Sequence, residues 1–161
     1  MLQKRTQVVL VDIEISDSVG GVMGAYNSSV SFTLSIFFNN SNSVTEQVVL
    51  WAEVGSDVTI IDSEFAYHFG FAMIFVHDNQ SSANIYRSCF HHNTATGVLI
   101  ARDHVTININ QSTFWNNTAN EGGVLCAQDH VNININQSAF WNNTANEERS
   151  FVCTRPCIYQ H

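Results

Sequence analysis

The chain has few basic residues. Lysine and arginine together number six against 14 aspartate and glutamate residues, Lys4 is the only lysine, and the formal net charge is -8. Nucleic acids and anionic membrane surfaces attract proteins through clusters of lysine and arginine, and no such cluster occurs here. We therefore expect neither a nucleic-acid partner nor binding to an anionic membrane.

Long apolar segments are also missing. The longest runs are of the size of Val8–Val11 and 71–76, far below the about 20 residues that span a bilayer, so we expect no membrane insertion. The segment 1–11 starts with basic residues like a secretory signal but has too short an apolar stretch before Asp12. We expect either that the chain is a fragment of a longer protein or that its export is encoded elsewhere.

An internal repeat is the main feature that is present. Residues 103–121 (DHVTININQSTFWNNTANE) return 26 positions later as 129–147, with differences only at positions 106/132 and 113/139. A period in the mid-twenties is typical of stacked repeat units. The composition, 45% hydrophobic and 12% charged, is that of a folded protein, and we treat 1–161 as a single domain.

Each repeat predicts three short strands. Val105, Ile107 and Ile109 alternate with polar residues, as in a half-buried strand. The inward positions then change parity to Ser112 and Phe114, which requires a bend at 110–111 because a straight strand would turn its apolar side to water. A third strand is expected at 124–126, after a loop.

Phenylalanines mark the same position in successive repeats, at spacings of 28, 25, 24 and 26 residues. We expect them to form a core ladder: Phe37, Phe65, Phe90, Phe114 and Phe140. The β-branched, asparagine-rich segments exclude a helical solenoid, and the leucine-rich frame is missing. The prediction is an all-β, right-handed, single-stranded parallel β-helix of about five to six turns with three strands per turn. The predicted divisions are 1–28 (a partial first turn), 29–56, 57–81, 82–103, 104–129, 130–153 and a cysteine-containing tail at 154–161.

The repeats combine F-x-x-N with a following G-G-aliphatic segment, as in Phe114 to Asn117 followed by 122–124, and the motif covers most of the chain. This pattern resembles the right-handed β-helix repeats of chlamydial polymorphic outer-membrane proteins. It departs at His68, which replaces the asparagine, and at 148–149, which replaces the glycine pair. The resemblance implies a surface-exposed, adhesin-like scaffold, with Asn117 and Asn143 as structural corner residues.

Three aspartates, Asp78, Asp103 and Asp129, are expected at one corner of successive turns, each beside a histidine (His77, His104 and His130). Such a row could bind Ca²⁺ or supply the acids of a glycoside hydrolase or polysaccharide lyase. We favour a structural corner, because a corner residue repeats whenever the corner repeats. Polygalacturonase signatures are absent and only two arginines lie in mid-chain, so we predict no enzymatic activity and no cofactor.

Two outward surfaces are alternative ligand sites. The grid at positions 106, 108 and 110, repeated at 132, 134 and 136, could dock sugar or organise ice, although we favour side chains that pair along the stack. Trp115 and Trp141 could form an aromatic platform for carbohydrate or simply shield each other from water.

Seven N-x-[ST] acceptors predict N-glycosylation and an extracellular or cell-surface location. They are Asn27, Asn39, Asn79, Asn110, Asn116, Asn136 and Asn142. Cys126, Cys153 and Cys157 are the disulfide candidates, with Cys126 and Cys153 expected at equivalent repeat positions. Since no CxxC pair or histidine at zinc spacing occurs, we expect no metal.

Neither end of the coil has an evident cap, so we expect end-to-end self-association, which would build a fibre if it does not close. The expected function is therefore that of a non-enzymatic structural or adhesive β-helix, with a carbohydrate or cell-surface ligand as partner. The alternatives are a carbohydrate-active enzyme and a sugar- or ice-binding face.

Overall fold

The computed structural model describes residues 6–19, 21, 23–40, 48–120 and 124–146, and the backbone of 152–154 and 158–160. The regular structure of these residues is entirely β-strand. The strands are β1 (Thr6–Val11), β2 (Glu14–Ser16), β3 (Met23–Tyr26), β4 (Ser28–Thr33), β5 (Ile36–Phe38), β6 (Val48–Glu53), β7 (Asp57–Ile61), β8 (Glu64–Ala66), β9 (Phe69–Val76), β10 (Ser82–Tyr86), β11 (Cys89–His91), β12 (Thr94–Arg102), β13 (Thr106–Asn110), β14 (Thr113–Trp115), β15 (Thr118–Ala119), β16 (Leu125–Gln128), β17 (Asn132–Asn136), β18 (Ala139–Trp141), β19 (Thr144–Ala145), β20 (Val152–Thr154) and β21 (Ile158–Gln160).

Three parallel sheets form the walls of the coil. Sheet A has the strand order β1-β4-β7-β10-β13-β17-β21, and sheet B has the order β2-β5-β8-β11-β14-β18. Sheet C runs β3-β6-β9-β12-β15-β19, and β16 pairs with both β12 and β20. The predicted fold class is confirmed: the chain is a right-handed parallel β-helix of about five turns with three strands per turn.

A column of phenylalanines fills the interior behind sheet B. Phe37, Phe65, Phe90 and Phe114 are 0% exposed, and Phe140 continues the column. The centroids of successive rings lie 4.3, 4.7, 4.7 and 4.8 Å apart, and their planes differ by 9° or less. The rings stack at the spacing of neighbouring strands, so each turn adds one ring to a continuous apolar core.

Every corner of the coil contains residues in the left-handed backbone region. Gln111 has a φ of 52° at the point where the inward positions change parity, which explains the bend predicted there. One such residue swings the chain into the next wall while the flanking residues stay extended, and asparagine and aspartate tolerate this conformation best among side-chain-bearing residues. The first corner uses Asp12, Leu34, Asp62, Arg87, Gln111 and Gln137; the second uses Asp17, Asn39, Tyr67, His92, Asn116 and Asn142.

A serine ladder follows the first corner. The backbone N–H of Ser63 donates to Oγ of Ser88, and that of Ser88 donates to Oγ of Ser112, both at 3.2 Å. Each hydroxyl in turn donates to the backbone oxygen two residues earlier, as Ser88 does to Tyr86 at 2.8 Å. The ladder comprises Ser35, Ser63, Ser88, Ser112 and Ser138. It satisfies the backbone donors that the bend removes from the sheets.

An asparagine ladder follows the second corner, formed by Asn40, His68, Asn93, Asn117 and Asn143. Oδ1 of Asn117 accepts from the backbone N–H of Asn93 at 3.1 Å, and its Nδ2 donates to the backbone oxygen of Phe90 at 3.0 Å. Asn143 makes the same two contacts one turn later. The predicted structural role of Asn117 and Asn143 is therefore confirmed.

Candidate functional site

His68 occupies the position where the asparagine ladder has asparagine in the turns on either side. Its Nδ1 accepts from the backbone N–H of Asn40 at 3.2 Å, and its own backbone N–H donates to Oδ1 of Asn93 at 3.0 Å. The residue is 1% exposed and its Nε2 has no hydrogen-bond partner. Burial lowers the pKa of His68 to about 4, because the cation would lose its hydration inside the coil.

The acidic corner, defined as Asp78, Asp103 and Asp129, lies between sheets C and A. Nε2 of His77 is 2.7 Å from Oδ2 of Asp103, and Nδ1 of His77 is 3.2 Å from Oδ1 of Asp78. Glu53 adds a third carboxylate, 3.8 Å from the same Nδ1. One histidine thus connects carboxylates from three successive turns.

The expected equivalence of the three corner histidines is wrong. His104 and His130 follow their aspartates, have positive φ values and stack with centroids 4.8 Å apart. His77 precedes Asp78, and its backbone N–H still bonds to the strand of the previous turn. The turn at 78–81 has one residue more than the next, so histidines that follow the same spacing in the sequence fall on different sides of the bend.

An aromatic column runs along the outside of sheet B and its second corner, through Phe38, Tyr67, His91, His92, Trp115 and Trp141. Trp115 lies between His91, at 4.6 Å and 15°, and Trp141, at 5.0 Å and 8°. Both faces of its indole are therefore covered, and the column presents ring edges to the side. A sugar ring packs on an aromatic face, so this geometry disfavours Trp115 as a platform.

Two adjacent histidines in this column form a polar chain. Nε2 of His91 is 2.7 Å from Oε1 of Glu64, and its Nδ1 is 2.9 Å from Nδ1 of His92. Nε2 of His92 is 3.3 Å from Nδ2 of Asn116. A single set of tautomers satisfies all three contacts, with His91 donating to Glu64 and His92 donating to His91. The chain fixes the ring orientations.

The polar grid on sheet A pairs along the stack. Nδ2 of Asn134 donates to Oδ1 of Asn108 at 2.8 Å, and Nδ2 of Asn108 donates to Oδ1 of Asn84 at 2.7 Å. The structural interpretation favoured from the sequence agrees with these bonds, which engage one oxygen and one amide hydrogen of Asn108.

The glycosylation acceptors fall in three places. Asn39, Asn116 and Asn142 occupy the second corner, Asn27 and Asn79 the third, and Asn110 and Asn136 end strands of sheet A. Nδ2 of Asn39 donates to Oδ1 of Asp17 at 2.7 Å, whereas Asn79 is exposed. Asn27 and Asn79 line the same shallow depression, of about 330 Å³.

The expected equivalence of two cysteines is also wrong. The strand register places Cys126 beside Val152 and Cys153 beside Ala127, because the repeat is 26 residues long and the two cysteines are 27 apart. Cys126 is buried, and Cys157 lies outside the described residues. Cys89 is a free thiol that accepts from Nε1 of Trp115 at 3.3 Å. Burial raises its pKa, so the thiol is not an activated nucleophile.

Trp51, on the outer face of sheet C, was not identified from the sequence. It pairs in register with Gly24 and is 44% exposed. A β-carbon placed on Gly24 would lie 3.3 Å from Cε3 of the indole and 3.8 and 3.9 Å from the neighbouring Cδ2 and Cζ3. It would thus meet the ring mainly from above, which means that the indole lies over the glycine. The only signal in the sequence is a glycine one period before a tryptophan.

Polar and aromatic side chains surround this indole. We call the outer face formed by Gly24, Tyr26, Trp51, Glu53, Phe75, His77 and Arg102 the Trp51 surface. The Phe75 ring stacks on His77 at 5.9 Å and 13°, and Cζ of Arg102 lies 5.6 Å from its centroid. Nε of Arg102 is buried without a hydrogen-bond partner. The surface continues into Asp78 and Asp103 through their contacts with His77.

Within the part of the chain that the structure describes, no three histidine, cysteine, aspartate or glutamate side chains are grouped as metal ligands. The same residues include no helix that is long and apolar enough to cross a membrane. No protein-family model, curated protein or solved structure gives a significant match to the chain.

Proposed function

We propose that the chain is a non-enzymatic, extracellular β-helix with an adhesive role, in which a rigid coil carries a ligand-binding outer surface. The observation that carries this proposal is a contrast between two columns of residues. The interior column repeats phenylalanine in five turns. One outer column of sheet C has a different residue in every turn, in the order Gly24, Trp51, Phe75, Ile100 and Cys126.

This contrast separates scaffold from surface. Columns that only hold the coil together repeat, because every turn has the same backbone groups to satisfy and the same interior to fill. A column that ceases to repeat has been released from that role. Ile100 and Cys126 are buried in a small apolar cluster outside the main core, and Phe75 packs against it, so the cluster supports the Trp51 surface from one side.

Two further observations favour adhesion over catalysis. Asp78 and Asp103 are both engaged by His77, and the raised pKa of Cys89 keeps its thiol protonated. The F-x-x-N and G-G repeats, which resemble those of chlamydial polymorphic outer-membrane proteins, support a surface-exposed scaffold. The seven acceptor sequons support an extracellular, N-glycosylated protein, which intact-mass measurement before and after enzymatic deglycosylation tests directly.

The test uses the purified chain and a panel of insoluble polysaccharides. We expect the protein to sediment with at least one of them while releasing neither reducing ends nor unsaturated sugars. Turnover that is lost in Asp103→Asn would instead establish the enzyme alternative. A folded protein that neither binds nor cleaves any member of the panel would contradict a carbohydrate-adhesive role.

End-to-end assembly is a second candidate, and it is favoured by strand β1. In the described part of the chain β1 pairs only with β4, so the other edge of β1 has unpaired backbone groups that another strand can join. Sedimentation velocity over a hundredfold concentration range should show growing species. A single monomeric species throughout would exclude this assembly.

A further inference from the structure

We propose that the Trp51 surface is a binding site for neutral oligosaccharides. This inference rests on the proposed adhesive function and assigns it a ligand class and a location. The first step is the orientation of the indole. Because Gly24 has no side chain, the ring of Trp51 lies over the sheet with one face toward the backbone and the other toward solvent. An exposed, flat aromatic face attracts the C–H groups of a pyranose ring.

The orientation distinguishes Trp51 from the other exposed tryptophan. Trp141 is 46% exposed, nearly the same as Trp51 at 44%, but one face of its indole is stacked on Trp115 at 5.0 Å. Exposure alone would therefore rank the two residues equally. The open lateral face of Trp51 arises from the glycine opposite it, and every other tryptophan contact in the aromatic column covers a ring face.

The second step is the arrangement of polar groups beside the platform. Tyr26 is 68% exposed and lies opposite Glu53 in the register. The next turns add His77, with Asp78 and Asp103 bound to its two nitrogens. Carboxylates held in place in this way accept hydrogen bonds from pairs of sugar hydroxyls with little loss of side-chain entropy. An oligosaccharide lying across the strands would meet a new polar residue about every 4.8 Å.

The third step concerns charge. Glu53, Asp78 and Asp103 outnumber Arg102, the one arginine on this surface, so the formal charge there is negative. Arg102 is also directed over Phe75, which engages its guanidinium. An acidic glycan such as a polyuronate would be repelled, whereas neutral hydroxyl groups can bond to the carboxylates. The site is therefore expected to prefer neutral sugars over acidic ones.

The experiment measures binding of cellohexaose, mannohexaose and N-acetylated chitohexaose by isothermal titration calorimetry, with oligogalacturonate as the acidic comparison. At least one neutral sugar should bind, and Trp51→Ala should weaken it at least about tenfold. Trp141→Ala, matched in residue type and exposure, should bind as the wild type does. Gly24→Val keeps the indole but lifts it from the sheet, and should weaken binding severalfold. It also tests the site if Trp51→Ala fails to fold, which thermal unfolding would reveal.

Four outcomes would overturn the inference. They are no binding by the folded wild type, unchanged affinity in both Trp51→Ala and Gly24→Val, loss of binding in Trp141→Ala instead, or tighter binding of oligogalacturonate. Retention on an insoluble polysaccharide that persists in Trp51→Ala would leave the adhesive function intact and move its site elsewhere. Cleavage of a sugar that requires Trp51 would retain the site and contradict the non-enzymatic function.

Discussion

The buried His68 makes the stability of the coil depend on pH. Burial lowers its folded-state pKa to about 4, against an ordinary value of 6.5, so between these values the unfolded chain binds a proton that the folded chain does not. The stabilisation is therefore present above pH 6.5 and is lost as the pH falls toward 4. The gap between the two pKa values corresponds to about 3 kcal/mol. Roughly 2 kcal/mol of this should be lost between pH 7 and pH 5.

Urea unfolding of the wild type and His68→Asn at pH 7 and pH 5 measures this effect. Asparagine does not titrate, and it is the residue that the ladder has in the adjacent turns, at Asn40 and Asn93. All other titrating groups are common to both proteins. The wild type should therefore lose about 2 kcal/mol more than His68→Asn over this pH interval.

His104→Asn is the matched control, because His104 is exposed and has a positive φ of 62° that asparagine tolerates. It should retain the wild-type pH dependence apart from a small surface effect. The reasoning is refuted if His68→Asn and the wild type lose stability equally between pH 7 and pH 5. It is equally refuted if His104→Asn, rather than His68→Asn, removes the difference.

Asn117→Ala should lower the free energy of unfolding by about 2–4 kcal/mol, because it leaves buried backbone groups without partners; Asn108→Ala, in the outward grid, should cost at most about 1 kcal/mol. A larger effect at Asn108 in urea unfolding would contradict this order. Phe114→Ala should cost about 3–5 kcal/mol by opening a cavity in the phenylalanine column, while Trp141→Ala should cost much less, and equal losses would refute the distinction between core and surface. The raised pKa and burial of Cys89 predict alkylation at pH 8 at least about tenfold slower in the folded chain than in urea, which mass spectrometry follows; equal rates would show that the thiol is accessible and activated.

The interior of the coil was predictable because its signal is local and repeated. The alternation of Val105, Ile107 and Ile109 defines an inward face, and the shift to Phe114 predicts the corner that Gln111 makes with a φ of 52°. Once one turn is defined, stacking copies each inward residue onto the next turn. The positions of the phenylalanine column follow from that rule alone.

Two corner and strand assignments failed because they depend on single-residue differences in length. The additional residue between Asp78 and Ser81 places His77 before the bend, and the spacing of Cys126 and Cys153 exceeds the repeat by one. One residue is enough to change the strand position, because successive side chains of a strand point to opposite faces. Approximate periodicity in the sequence does not resolve such differences, whereas hydrogen-bond register does.

The amino-acid sequence by itself determined the class of fold, the length of a turn, the inward ladders and the structural asparagines, because each arises from a pattern that recurs every 24 to 28 residues. Only the tertiary structure decided how the outer surfaces are used. Whether an indole lies over a neighbour or stacks on it depends on the residue in the adjacent strand, as Gly24 and Trp115 do for Trp51 and Trp141. Those neighbours are brought together by winding, across a full turn of chain, and their contacts therefore cannot be read from local sequence.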